Sequence, residues 1–234
     1  MKPFVFKEFS VAQSGDVFRV GTDAVLLGAL AETKGKSKVL EVGCGTGIIS
    51  LMIAQRNTSA QVLAIDISQK AVDLTHENFL NSPYSDRLEA LKADFSVFTF
   101  HQKFDLIISN PPYFELNSSQ KDVLARQMLT LDFQSLIDGA AANLSAEGVF
   151  SVIIPALESE RFTAIAVESR LSLVRKVKII GLKGKEVKRV ILEFGFKAPD
   201  QVMEKQLVVQ ETPRVFTQEY LGITKDFHVF KSSR

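Results

Sequence analysis

The chain has 234 residues, of which 46% are hydrophobic, and its net charge is +1. This composition fits one α/β domain and excludes a disordered or membrane-spanning chain, since the apolar runs fall well short of about 20 residues. Residues 1–9 lack the apolar stretch of a signal peptide, and the single cysteine, Cys44, cannot form an internal disulfide. With three scattered histidines there is no zinc-ligand spacing. We therefore expect a cytoplasmic monomer without a metal.

Charge is distributed unevenly along the chain. Acidic residues outnumber basic ones up to residue 160, and basic residues outnumber acidic ones after it. In the stretch 170–189 a single acid, Glu186, stands among Arg170, Arg175, Lys176, Lys178, Lys183, Lys185, Lys188 and Arg189. Such a concentration indicates contact with phosphates, but the same lysines suit a solvated sheet edge that resists aggregation. Charge alone leaves both interpretations open.

Short apolar runs alternate with helical stretches through most of the chain. The predicted strands are Lys38–Val42, Gln61–Ile65, Leu88–Lys92, Phe104–Ser109 and Val149–Ile154. The predicted helices are Ile48–Arg56, Gln69–Leu80 capped by Ser68, Phe133–Leu144 capped by Thr130 or Asp132, and Leu157–Ser169. Two further strands, Ser172–Ile180 and Val187–Phe196, flank a turn rich in Gly and Lys and indicate a hairpin. The pattern predicts a mostly parallel sheet with crossover helices and an antiparallel C-terminal hairpin, which resembles the class I methyltransferase fold.

A glycine-rich loop, Gly43-Cys44-Gly45-Thr46-Gly47, follows the first of these strands. Its G-x-G-x-G spacing differs from the dinucleotide fingerprint, and Glu41 just before it would repel a pyrophosphate. The loop fits S-adenosylmethionine, whose ammonium group Glu41 can reach through water. The alternative interpretation is a tight structural turn, with Cys44 as a small filling residue.

Acidic residues follow the next two strands. Asp66 lies close to the offset of about 20 residues from the loop at which an acid meets ribose hydroxyls in this kind of sheet. Asp94 is predicted to accept a hydrogen bond from the adenine amino group of the cofactor. Phe95 is predicted to pack on the adenine ring.

The segment Asn110-Pro111-Pro112-Tyr113 follows the fourth strand, at the edge where ligands bind in such sheets. The Asn110 carbonyl and a proline-flanked backbone carbonyl can accept both hydrogens of a planar NH2 group and orient its lone pair toward a sulfonium methyl. Tyr113 would stack on the base that carries the amine. The motif is typical of adenine-N6, guanine-N2 and glutamine-N5 methyltransferases, so it predicts the amine and leaves the molecule open. An ordinary rigid turn is the alternative.

Four segments together resemble the bacterial valine-tRNA adenine-N6 methyltransferase family: residues 4–9, 20–29, 65–67 and 106–114. The resemblance covers about the first two-thirds of the chain. It implies a Rossmann-like, seven-stranded, mostly parallel sheet, S-adenosylmethionine as methyl donor, and methylation of the adenosine 3′ to the anticodon.

The same resemblance extends to individual residues. Thr22 and Asp23 match the family's segment that closes over the methionyl end of the cofactor, although either residue also suits a helix cap. Arg126 matches an Ala-Arg pair after the catalytic loop and is a candidate RNA contact. The basic hairpin supplies the other candidates, Lys183, Lys185, Lys188 and Arg189.

We expect a single domain over residues 1–234, divided into a closing segment (1–37), a cofactor-binding and catalytic core (38–155) and a C-terminal helix with the basic hairpin (156–234). A glutamine-N5 release-factor methyltransferase would carry a helical domain before the glycine loop, which here begins at Gly43. A DNA adenine methyltransferase would carry a target-recognition insertion. A non-catalytic RNA-binding module or chaperone is the rival of another class, and the presence of Asp66 and Asn110 disfavours it.

Overall fold

A computed structural model describes residues 1–112 and 133–228. The strands in these ranges are β1 (Phe4–Val5), β2 (Ser10–Val11), β3 (Lys38–Val42), β4 (Gln61–Asp66), β5 (Leu88–Lys92), β6 (Phe104–Ser109), β7 (Leu144–Pro155), β8 (Ser172–Leu182), β9 (Val187–Gly195), β10 (Met203–Thr212) and β11 (Val215–Phe216). The helices are α1 (Thr22–Leu30), α2 (Ile48–Arg56), α3 (Gln69–Leu80), α4 (Phe133–Asn143), α5 (Ser159–Glu168) and α6 (Gln218–Thr224).

The described strands other than β1 and β2 form one sheet in the order β11-β10-β8-β9-β7-β6-β3-β4-β5. The central strands β5, β4, β3, β6 and β7 are parallel, and β9 lies antiparallel between β7 and β8. As a result β8 runs in the same direction as β3 and β6, and its carboxyl end lies at the same edge of the sheet. The predicted parallel sheet and its antiparallel hairpin are confirmed.

On the far side of the sheet one prediction is wrong and one of two open alternatives is excluded. The described sheet has nine strands and not seven, because β10 pairs with β8 in parallel and β11 pairs with β10. In β10 the buried residues Leu207 and Val209 alternate with more exposed neighbours, which is the period of a half-buried strand. The β8–β9 hairpin is therefore interior, and the interpretation of its lysines as protection of a sheet edge fails.

Both faces of the sheet are covered, which explains the nearly continuous apolar runs of the central strands. Val39 and Ile191 belong to one core cluster, which includes residues of α1 and α2. Their chain neighbours Leu40 and Leu192 point to the other cluster, which includes residues of α4 and α5. Within the described residues no helix has the length and apolar character needed to cross a membrane.

Local chemistry sets the helix starts. The Ser68 hydroxyl accepts a hydrogen bond from the Ala71 amide at 3.4 Å and caps α3 as predicted. Helix α1 begins after Gly21, which provides no side-chain cap, so the interpretation of Thr22 or Asp23 as the cap is wrong. The caps predicted for α4 lie outside the described residues.

Helix α1 is held by side chains from distant parts of the chain. At its carboxyl end Arg56 donates to the carbonyls of Gly28 and Ala31, each at 2.9 Å, and Arg175 of β8 donates to Leu30 at 2.9 Å. Arg175 also pairs with the buried Glu193 of β9 at 3.1 Å. These contacts fix the position of α1 on the sheet.

Candidate functional site

The register of the sheet brings the ends of three strands to the same level. Val42 of β3 is the pairing partner of both Ile65 and Ser109. The buried Ser109 hydroxyl donates to the Val42 carbonyl at 2.9 Å. The residues that follow these partners are Gly43, Asp66 and Asn110, so the predicted cofactor loop, ribose acid and catalytic asparagine begin side by side.

The glycine loop requires left-handed backbone at all three glycines, with φ of 77° at Gly43, 55° at Gly45 and 74° at Gly47. A Cβ atom at Gly43 would meet nothing within 4 Å, whereas one at Gly47 would lie 2.7 Å from the Phe79 ring. The first part of the loop thus presents open backbone to a ligand, and Gly47 is required by packing. Cys44 is buried, which raises the pKa of its thiol, and it fills space beneath the loop.

Asp66 supports the loop and retains capacity for a ligand. One carboxylate oxygen accepts from the Gly45 amide at 3.1 Å, and the other accepts from the Ser68 amide at 2.9 Å. Each oxygen of an ionised carboxylate has two acceptor sites, so both can accept one more hydrogen bond. The side chain of Ile67 beside it is 51% exposed and forms an apolar surface that sequence reasoning did not single out.

Glu41 lies beneath the loop and is almost fully buried. One of its carboxyl oxygens accepts hydrogen bonds from the amide of Ser50, at 3.0 Å, and from the Ser50 hydroxyl. Burial raises the pKa of Glu41 to about 8. Glu41 therefore links β3 to the first turn of α2, and its predicted contact with the cofactor ammonium remains a prediction.

Asp94 and Phe95 follow β5 but are placed differently. Asp94 is half-buried, and one of its carboxylate oxygens accepts from the Ser96 amide at 3.0 Å and the Ser96 hydroxyl at 2.6 Å. Phe95 is buried, and its ring lies 2.6 Å from the position of a Cβ on Gly139 of α4. That ring is packed in the core, where Phe95 anchors the segment that carries Asp94, and its packing on the adenine ring remains a prediction.

The catalytic motif is described up to Pro112. Asn110 is half-buried, Pro111 is buried and Pro112 is half-buried. Because the preceding strand is fixed by pairing on both sides, this segment is held on a rigid base. Tyr113 lies outside the described residues, as does Arg126.

Asn78 of α3 is a further residue of the site, which sequence reasoning missed. Its side chain is buried and accepts from the Ala12 amide at 2.7 Å. Its amide nitrogen donates to the carbonyls of Ala12, at 3.2 Å, and Thr46, at 2.9 Å. The N-terminal segment is thereby attached directly to the glycine loop. No local signal marks Asn78, because both partners are distant in sequence.

The candidate RNA contacts on the hairpin fall into two groups. Lys183 is paired with Glu211, and Arg189 is paired with Asp23 at 2.9 Å. Lys185 and Lys188 are exposed and form no ion pair with the rest of the described chain. The Arg189–Asp23 pair brings a predicted RNA contact and a predicted cofactor-closing residue together, which neither prediction anticipated.

The described residues hold no group of three or more His, Cys, Asp or Glu side chains arranged to bind a metal ion. What they offer at the sheet edge is open glycine backbone, carboxylate acceptors and an asparagine amide. The carboxylates suit a ligand that donates hydrogen bonds from hydroxyl and amino groups. The asparagine amide suits an amine that receives a transferred group.

Comparisons with known proteins agree with this geometry. The methyltransferase small domain family matches residues 9–166. A tRNA1(Val) (adenine(37)-N6)-methyltransferase from a Flavobacteriaceae bacterium is 47% identical over 99% of this chain and 100% of its own, and one from Phocaeicola vulgatus is 40% identical over 97% of each. The crystal structure of a predicted O-methyltransferase from Agrobacterium tumefaciens has a TM-score of 0.71 at 21% identity, covering 88% of this chain and 96% of that one, and it supports the class I fold. The chain belongs to the methyltransferase small domain family and, within it, to the family of these tRNA1(Val) (adenine(37)-N6)-methyltransferase relatives.

Proposed function

We propose that this protein transfers a methyl group from S-adenosylmethionine to N6 of an adenine in tRNA, at the adenosine 3′ to the anticodon of a valine tRNA. The observation that carries the proposal is the alignment of Gly43, Asp66 and Asn110 at one sheet edge, fixed by the pairing of Val42 with Ile65 and Ser109. The names of the full-length relatives support the choice of substrate. We further propose that the protein acts in the cytoplasm, that it is a monomer, and that residues 1–234 form a single domain.

The chemistry of the described residues fits the cofactor. Asp66 has free acceptor sites for two ribose hydroxyls, and the open backbone at Gly43 and Gly45 allows close approach of the methionyl group. Asp94 would accept from the adenine amino group, and Glu41 would act on the ammonium through water. Thr22 and Asp23 would border the methionyl end. When bound, S-adenosylmethionine supplies an electrophilic methyl group on a sulfonium.

Asn110 would orient the acceptor amine. Its side-chain oxygen and a backbone carbonyl of the proline pair would accept the two amino hydrogens, which directs the nitrogen lone pair toward the donor. The two oxygens would also stabilise the positive charge that develops on nitrogen as the methyl arrives. The amine becomes acidic only then and loses its proton to water, so no strong general base is required. Tyr113 would stack on the base.

Lys185 and Lys188 are the phosphate contacts that the structure favours, since both are exposed and outside the ion pairs that hold Lys183 and Arg189. Lys183 and Arg189 would reach RNA only by exchanging Glu211 and Asp23 for phosphate. Arg126 remains a candidate from the sequence.

The test is methylation of total tRNA from a strain that lacks the gene, followed by nucleoside mass spectrometry. We expect one N6-methyladenosine per valine tRNA, located 3′ to the anticodon by nuclease mapping, and methyl transfer slowed by at least about 100-fold in Asn110→Ala. Methylation of a release-factor glutamine without tRNA methylation would favour the glutamine-N5 alternative. Full affinity for tRNA without transfer to any substrate would favour the non-catalytic alternative.

A further inference from the structure

A groove of about 1190 Å³ opens at the carboxyl edge of the sheet. Its walls are the start of α1, the β8–β9 turn, β10 and the chain termini. None of Gly43, Asp66 or Asn110 lines it. Thr22 and Asp23, which are proposed to border the methionyl end of the cofactor, do line it, so the groove adjoins that site and extends from it toward β10.

The groove begins close to the catalytic motif. Ser109 pairs with Val152 of β7, and Pro155 at the end of β7 pairs with Arg189 of β9. Arg189 on the groove wall therefore lies at the carboxyl edge from which the catalytic motif continues after Ser109. Since neighbouring strands are about 4.8 Å apart, β9 lies roughly 10 Å from β6.

The interior of the groove is apolar and partly aromatic. Phe4, Val25, Ile179 and Val209 line it, and Phe4 is half-buried. Tyr220 also lines it, and burial raises the pKa of its phenol, so the hydroxyl stays protonated near neutral pH. A planar heterocycle can be buried against such a surface by stacking and by loss of apolar area.

The rim of the groove carries positive charge. Lys185 and Lys188 lie on it, exposed and without an ion pair in the described chain. The acids on the same rim are Asp23, which is paired with Arg189, and Glu186. An apolar interior beside two available ammonium groups suits a ligand that is aromatic at one end and anionic at the other, and this is the chemistry of a nucleotide.

We propose that this groove binds a nucleotide that flanks the target adenosine in the same RNA strand. Its base enters between Phe4 and the end of β8, and its phosphate is held by Lys185 and Lys188. This inference rests on the proposed tRNA methyltransferase activity and deepens it, because the groove then determines which sequence next to the target is accepted. The groove, and not the amine site, sets this preference.

The experiment uses the full chain and synthetic RNAs that copy the anticodon stem and loop of valine tRNA. One RNA is intact, and each of the others carries one abasic site near the target adenosine. Each RNA is assayed by steady-state methylation with wild type, Phe4→Leu, the double variant Lys185→Gln with Lys188→Gln, and the matched control Lys197→Gln, an exposed lysine that is paired with Glu147 and does not line the groove.

We expect one abasic position to raise the wild-type KM roughly tenfold, and the same RNA to affect Phe4→Leu by less than about twofold. The double variant should raise KM about tenfold or more and flatten the dependence of log KM on log salt, by about 0.7–0.9 for each lost contact. Lys197→Gln should resemble wild type. The maximal rate should change little in all variants.

Equal sensitivity of wild type and Phe4→Leu to every abasic position would overturn the proposal, as would an unchanged salt dependence in the double variant. Full-length valine tRNA is tested beside these RNAs. If the wild-type enzyme methylates neither the tRNA nor the intact stem-loop RNA, the proposed function itself is contradicted. Circular dichroism and thermal unfolding of Phe4→Leu identify a folding defect. If Phe4→Leu does not fold, Val209→Ala on the opposite wall takes its place.

Discussion

The Ser109 hydroxyl donates a 2.9 Å hydrogen bond to the Val42 carbonyl and joins the two strands that lead to Asn110 and to Gly43. Removing it should disturb the alignment of the amine site with the cofactor loop. We expect Ser109→Ala to lower the free energy of unfolding by about 1 kcal/mol and the single-turnover rate by roughly tenfold. The matched control is Ser151→Ala, a buried serine of β7 that bonds to Glu193. A similar rate loss in both variants would mean that the Ser109 bond has no special role.

Asp66→Ala removes the proposed acceptors for the ribose hydroxyls. Because it leaves polar groups without partners in a partly desolvated site, binding of S-adenosylmethionine should weaken by roughly 2–4 kcal/mol, as measured by titration calorimetry. Asp73→Ala on the exposed face of α3 serves as the control and should bind normally. An affinity of Asp66→Ala within twofold of wild type would remove Asp66 from the ribose site.

Asn110→Ala separates chemistry from binding. Its carbonyl interacts most strongly when the amine nitrogen becomes cationic, so the single-turnover rate should fall by at least about 100-fold while the affinities for cofactor and tRNA stay within a few-fold. Asn81→Ala, at the exposed end of α3, should have a normal rate. Near-normal methyl transfer by Asn110→Ala would disprove the catalytic assignment.

Two glycines of the loop should respond differently to the same substitution. Both need positive φ, so alanine costs roughly 1–2 kcal/mol of stability at either position. At Gly47 the new methyl group also meets Phe79 and Thr75, so Gly47→Ala should unfold at clearly lower urea concentration than Gly43→Ala. At Gly43 the methyl group would enter the open space proposed for the ligand. Gly43→Ala should therefore be the better folded of the two and yet lose cofactor affinity, which calorimetry and urea unfolding together would check.

Glu41 makes stability depend on pH. Its pKa is about 8 in the folded protein, against an ordinary value of 4.5, so the folded chain keeps a proton that the unfolded chain releases in this range. The free energy of unfolding should therefore fall as pH rises from about 4.5 to 8, by up to about 1.4 kcal/mol per pH unit, and level off above. Glu41→Gln mimics the protonated carboxyl and lacks this contribution. Urea unfolding of both proteins across the range should show the advantage of wild type shrinking with pH, and a constant difference would contradict the assignment.

Local signals account for the parts of the fold that the sequence predicts well. Helix α2 follows a glycine that needs positive φ, and α3 begins at the Ser68 cap, so the bounds Ile48–Arg56 and Gln69–Leu80 are confirmed. The order of the site residues follows from the rule that parallel strands end at one edge. Both kinds of signal involve residues within a few positions of each other.

The features that were missed depend on contacts over long sequence distances. Arg189 and Asp23 are 166 positions apart, and a charge pattern does not reveal which acid neutralises which base. Strand β10 is stabilised by parallel pairing with β8, and because the two strands are not joined by a hairpin turn, no turn sequence indicates that pairing. Phe95 follows Asp94 in the sequence, but its burial depends on space left by Gly139 of α4. Residues that are close in space but far apart in the sequence are identified only once the three-dimensional structure is known.

The attachment of α1 has a consequence for the order in which the chain folds. The helix has nine residues, contains no basic residue in its last turn, and takes the partners of its terminal carbonyls from Arg56 and Arg175. A helix this short is only marginally stable alone in water. It leaves the ribosome early but cannot be completed until residue 175 has been made and β8 has joined the sheet. During synthesis we therefore expect α1 to dock on the sheet only after the central strands have assembled.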